Sequence, residues 1–163
     1  YASTNSLTGY QFNKYMDPFK YELKSGHVSA NGDYPCTDLA VPIMRYAEVI
    51  LIKAEALLMQ GKSADQEINM IRVRAGLTAK NGCTMADLKH ERRCELAGEW
   101  ADRHRDLVRW GDAQAAYAKP LHGINGQVVW AARNFNPAVH NVWAVPQAEI
   151  VNSHGIIKQN EGW

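Results

Sequence analysis

Cysteine is scarce in this chain. Cys36, Cys83 and Cys94 are odd in number and show no C-x-x-C spacing, so neither a disulfide framework nor a zinc knuckle is indicated, and at most one bridge can form. Net charge is nearly absent too. With 18 Lys+Arg against 17 Asp+Glu, interleaved rather than clustered, there is no electrostatic case for a nucleic-acid partner. No long apolar run exists: the stretch Val49–Ile52 is broken by Lys53 and Glu55, far short of the roughly 20 residues a membrane span requires. The chain begins at Tyr1 and shows no methionine start, charged n-region or apolar h-region, which predicts a chain processed or cut from something longer. His122, His140 and His154 lack metal-ligand spacing, so neither a catalytic metal nor any other cofactor is expected.

What is present in abundance is paired charge. From Asp87 to Asp112 the chain holds 13 of its 35 charged residues. Thr84 with Asp87 three residues on resembles an N-terminal cap, and Met85, Leu88, Leu96 and Trp100 then share one side of a helix predicted over about 85–100. Glu91, Glu95 and Glu99 recur at i, i+4, i+8 on that apolar side. Burying unpaired carboxylates costs several kcal/mol. Arg45, Arg72, Arg74, Arg92, Arg103, Arg105 and Arg109 are the available partners, and a partly buried ionic lattice is the expectation. A di-iron helical site would need Glu-x-x-His pairs, and the stripe has none.

The length suits one domain with a core, burying about 70% of its unfolded surface. Residues 1–40 read as extended segments and turns, with Tyr10, Phe12 and Tyr15 as a candidate lining strand and a turn at Asn31-Gly32-Asp33. Ile43 to Gln60 is apolar nearly all round, the mark of a helix buried on most sides, with Pro42 at its entry and Gly61 past its end. Arg45, Glu48 and Glu55 place further charges on it. Ser63 and Gln66 match a capping box for a second helix that Gly76 stops, and a join of about two residues predicts an antiparallel, tetratricopeptide-like hairpin. Asp102 can cap a further helix carrying Leu107, Trp110 and, where it continues past a break near Gly111-Asp112, Tyr117. An irregular tail rich in Pro, Gly, Asn and His follows from Lys119. The fold class is therefore mainly α, with helical hairpins between an irregular N-terminal arm and a loop-rich C-terminal tail.

Five stretches in order resemble the C-terminal region of the RagB/SusD family of outer-membrane nutrient-binding lipoproteins. RYAEVILIKAEAL (Arg45 to Leu57) and INMIRVRAGL (Ile68 to Leu77) are similar to its "R-Y-A-E-v-l-L…A-E-A" and "L-N-x-V-R-x-R-A-G-L" helices. ERRCELAGE (Glu91 to Glu99), DLVRWG (Asp106 to Gly111) and WAVPQAEIVNSHGIIKQNEGW (Trp143 to Trp163) resemble its later segments, and GYQFNKY (Gly9 to Tyr15) fits less specifically. Trp100 stands where a glycine is usual, one extra residue separates Glu99 from Asp106, and Glu161 replaces a proline. The resemblance covers about residues 9–163. It implies a SusD-like C-terminal domain, residues 1–163, that is a fragment of a longer chain. Its expected setting is the outer membrane at the cell surface of Bacteroidetes-like bacteria, where a lipid anchor on the missing N-terminal part holds the protein to the membrane. It implies no enzyme. The expected partners are a SusC-like TonB-dependent transporter and an oligosaccharide or other nutrient, with ligand loops largely upstream.

If these residues touch a ligand, the candidates are Trp130, Arg133 and Asn134, an aromatic face beside hydrogen-bonding edges in an irregular stretch; a Trp that pins the tail to the core is the alternative. Two other functions stay open. One is a tetratricopeptide-like protein–protein interaction module without a small-molecule ligand; the other is a helical glycosidase using carboxylates of the Glu91, Glu95 and Glu99 row. A single-helix row places acid and base on one side of a substrate, which opposes the glycosidase.

Overall fold

The computed structural model describes residues 6–10, 12, 14–15 and 40–163, together with the backbone of two strands, β1 (Val28–Asn31) and β2 (Tyr34–Thr37). The chain forms two compact units, Phe12–Asp102 in one and Tyr1–Gln11 with Arg103–Trp163 in the other. In the first unit, β1 and β2 pair antiparallel with Asn31 opposite Tyr34. Gly32 and Asp33 of the expected turn, and the side chain of Cys36, lie outside the described residues. The lining strand expected over Tyr10 to Tyr15 does not hold at its end, because Tyr15 adopts a positive φ of 56° within a turn.

Three helices build the core of this unit: α1 (Tyr46–Met59), α2 (Asp65–Arg74) and α3 (Met85–Glu95). Leu51, Ile68 and Leu88, one from each, are the largest fully buried side chains among the described residues. α1 begins three residues later than its apolar pattern does, since Arg45 is extended and turns its side chain to the carboxylates described below. The N–H of Lys62 donates to the carbonyl of Leu57 and that of Gly61 to Leu58, with Gly61 at φ +70°. Such a paired closure needs a left-handed residue, which glycine supplies without steric cost.

The capping box expected from Ser63 and Gln66 is not formed. α2 starts at Asp65 behind Ala64, which is wholly buried and offers no side-chain cap, so the join runs over residues 60–64 rather than about two. Asp65 serves a different purpose. Its carboxylate accepts from the N–H of Cys83 (2.7 Å) and of Gly82 (2.9 Å), which holds its pKa below the usual value and ties the loop before α3 to the start of α2.

The box at α3 is present in full: Thr84 Oγ1 accepts from the N–H of Asp87, and Asp87 Oδ2 accepts from that of Thr84. Thr84→Ala is expected to cost about 1 kcal/mol, measured by urea unfolding, and no change would remove the cap from the account of stability. α3 does not reach residue 100, however. It ends at Glu95, because Gly98 takes φ +76° and sits so close to the Phe12 ring that a Cβ there would lie 2.8 Å from Cδ1. Glu99 therefore belongs to the turn after the helix.

The second unit contains α4 (Arg103–Arg109) and α5 (Ala113–Tyr117), separated at Gly111 and Asp112 as the sequence predicts. A short antiparallel pair follows, β3 (Leu121–His122) with β4 (Val128–Trp130), then α6 (Pro137–His140) and α7 (Gln147–Asn152). Its small core is Leu107, Ala113 and Phe135. The tail is irregular but tied. The Gln159 amide donates to the carbonyl of Val145 and accepts from its N–H (2.9 and 2.7 Å), while Asn160 Nδ2 donates to the carbonyl of Trp143 (2.6 Å). No helix among the described residues is long and apolar enough to cross a membrane.

Candidate functional site

The inward face of α3 carries Glu91 and Glu95, with Glu99 just beyond its end. Each is met by cations from other elements. Arg45 Nη2 donates to Glu95 Oε1 (2.9 Å) and Glu99 Oε1 (2.8 Å), and its Nε to Glu99 Oε2 (2.6 Å). Lys14 Nζ adds a bond to Glu99 Oε1 (2.6 Å) and another to the carbonyl of Glu95 (2.6 Å). Arg74 pairs with Glu95 and Arg72 with Glu91. Arg92, on the same buried side of α3, meets Glu48 of α1 at 2.9 Å, both buried.

Burial pushes the Glu99 carboxyl upward, but the hydrogen bonds from Arg45 and Lys14 outweigh it and leave its pKa below the usual value. The same contacts, with Glu99 first and Glu95 next, raise that of Arg45 against the opposing effect of burial. A recess of about 260 Å³ opens beside this lattice, lined by Lys14, Tyr15, Arg45, Arg74, Cys94, Glu95 and Glu99. Chemically it has little to offer. Glu95 and Glu99 converge on one guanidinium, whereas a glycosidase needs its two carboxyl groups directed at a substrate between them. Among the described residues no group of three His, Cys, Asp or Glu side chains could hold a metal ion.

The other unit gathers aromatic rings. Tyr117 and Phe135 stack at 5.6 Å, and His104 lies within 6.0 Å of both, its Nδ1 hydrogen-bonded to the Tyr117 hydroxyl (2.7 Å). His140 packs between Phe135 (5.4 Å) and Trp163 (5.7 Å), and its Nδ1 accepts from the N–H of Asn136 (2.9 Å). Trp143 approaches His104 at 5.7 Å and is 79% exposed. Trp110, read as core from the sequence, is half-buried beneath the guanidinium of Arg109 at 4.6 Å.

The three residues singled out from the sequence all fall in this unit. Trp130 lies on β4 opposite Leu121 and is 55% exposed. Arg133 is committed to Tyr117: its guanidinium lies 4.9 Å over the ring and its N–H donates to the Tyr117 carbonyl (2.7 Å). Asn134 is exposed. Trp143 and Trp163, both exposed, escape the sequence reading as surface aromatics. The usable signal was the Gln159-Asn160 pair, whose amides anchor the backbone around Trp143.

Residues 2–163 match the profile of the SusD family. The chain belongs to that family. The starch-binding protein SusD of Bacteroides thetaiotaomicron is 29% identical over 170 residues, an alignment that takes in 98% of this chain and 28% of that protein. Surface glycan-binding protein A from the same organism superposes with a TM-score of 0.61 at 28% identity, over 74% of this chain and 24% of its own, and a second structure of it holds laminarihexaose with the same match. This SusD-family chain thus spans about a quarter of the length of the relatives it matches. Their mostly helical fold is the one seen here.

Proposed function

We propose that these residues belong to the glycan- or nutrient-binding component of an outer-membrane uptake system, working with a SusC-type TonB-dependent transporter at the cell surface. In this reading they serve mainly as scaffold within a longer, lipid-anchored polypeptide, and they bind rather than turn over their ligand. The observation that carries the proposal is the similarity, over most of the chain, to a protein whose structure holds laminarihexaose. The engagement of Glu95 and Glu99 by Arg45 supports binding over hydrolysis, since neither is placed as a free acid or base. An oligosaccharide needs flat apolar faces and hydrogen-bonding edges. Trp130, with Arg133 and Asn134 near it in sequence, is the proposed contribution of this segment.

One stacking surface is worth about 0.5–1.5 kcal/mol, and millimolar affinity already needs about 4. The 163-residue chain is therefore expected to bind a glycan panel weakly or undetectably by calorimetry, and the longer polypeptide to bind it measurably. Micromolar binding by the 163-residue chain, abolished by Trp130→Ala, would show that the site is here and that the scaffold assignment is wrong. No binding by the longer polypeptide to any glycan would remove the ligand class itself.

A further inference from the structure

Asparagine is chemically labile, and least protected where glycine follows, because no Cβ then screens the next backbone nitrogen. Asn-Gly occurs in this chain at Asn31-Gly32, Asn81-Gly82 and Asn125-Gly126. At the second of these the Gly82 nitrogen can give up its proton to water and bond to the side-chain carbonyl carbon of Asn81. The carbon–nitrogen bond of the Asn81 amide then breaks and ammonia leaves. Water opens the resulting cyclic imide to aspartate or isoaspartate.

The attacking nitrogen is already engaged there. The Gly82 N–H donates to Asp65 Oδ2 (2.9 Å), and Oδ1 of the same carboxylate accepts from the N–H of Cys83 (2.7 Å). Taking the proton from an amide that donates to a carboxylate forfeits a charge-assisted hydrogen bond and sets a second negative charge beside the first. The loop is also fixed on the other side of Asn81. Asn69 Oδ1 accepts from the N–H of Lys80, its Nδ2 donates to the Lys80 carbonyl (both 2.8 Å), and Lys80 Nζ pairs with Asp87. These contacts are internal to α2, α3 and the loop between them. Asn125-Gly126 differs, since the Gly126 N–H donates to the uncharged carbonyl of Gly123 (2.9 Å) in the turn between β3 and β4.

We propose that Asn81 is a latent deamidation site, and that Asp65 keeps it unreactive by holding the N–H of Gly82. Conversion would put a new carboxylate next to Lys80, and isoaspartate would add a backbone atom to a loop tied on both sides of it. The α2–α3 connection therefore depends on Asp65 for its chemical lifetime as well as for its geometry. None of this depends on what the longer polypeptide binds.

The test is to incubate the full-length protein at neutral pH, digest it at intervals, and follow the peptides around Asn81 and Asn125 by mass spectrometry for conversion of amide to acid. Asp65→Ala should speed conversion at Asn81 by about tenfold or more, the equivalent of one hydrogen bond to a charged group, and leave Asn125 unchanged. An unchanged rate at Asn81 overturns the proposal, and so does a slower one, which would make Asp65 a base that promotes the reaction. An equal rise at both sites also overturns it, because general unfolding then accounts for the change. The unaltered protein keeps the proposal testable should the variant fail to fold: Asn81 should convert about tenfold more slowly in buffer than in urea, and equal rates would exclude any protection by the loop.

Discussion

Replacing Arg45 by alanine is expected to destabilise the 163-residue chain by about 3 kcal/mol, the low end of the range for breaking a buried ion pair. The low end applies because the Arg45 side chain is 26% exposed and because Lys14 and Arg74 remain beside Glu99 and Glu95. The variant leaves two nearly buried carboxylates without the guanidinium they share. At this chain length Tm should fall by roughly 6–12 °C.

The loss should depend on pH. Glu99 titrates below its usual value in the folded protein, so its contribution is fully present above the unfolded carboxylate range and is lost as pH falls through the lower folded value. Arg45→Ala removes part of what depresses it while leaving the burial that raises it. The gap in stability between the two proteins should therefore narrow as the pH is taken from 7 into the acid range. A gap that is constant in urea titrations across that range would show that Arg45 acts by packing rather than by charge.

Leu88→Ala is expected to cost about 2–5 kcal/mol, comparable to or larger than the loss at Arg45, because Leu88 is wholly enclosed in the core built by α1, α2 and α3. The spread reflects how far the surrounding side chains can close the cavity. Leu88→Met keeps the volume and should cost less than about 1.5 kcal/mol. The two variants differ only in how well they fill the space. Equal losses measured by urea unfolding would mean that the site tolerates the cavity and is not the packing centre of the hairpin.

The helices were legible where local chemistry decides them. Thr84 and Asp87 announce a cap that forms in full, and Gly61 and Gly76 stand past helix ends with positive φ. The pattern misled where a distant contact intervened. Gln66 follows Ser63 at capping-box spacing, but the helix starts at Asp65, whose carboxylate is claimed by the backbone at Gly82 and Cys83. The i, i+4, i+8 row of glutamates implied one continuous helix, but the chain turns at Gly98 against Phe12 and delivers Glu99 from a turn instead.

Periodicity alone established that α3 presents carboxylates to the interior and that they require cations, because a 3.6-residue repeat determines which side of a helix a residue shares. It could not choose among seven arginines, and Lys14 was not among the candidates. Those choices join residues 85 apart in the chain for Lys14 and Glu99, and 54 apart for Arg45 and Glu99. Only the packing of α1 against α3, with the turn at Lys14 brought beside them, sets which cation reaches which carboxylate. The same division holds on α1. Its sequence showed a helix apolar on both sides, and the tertiary structure decided which side is the core, because burial depends on what packs there and not on the residues of the helix alone.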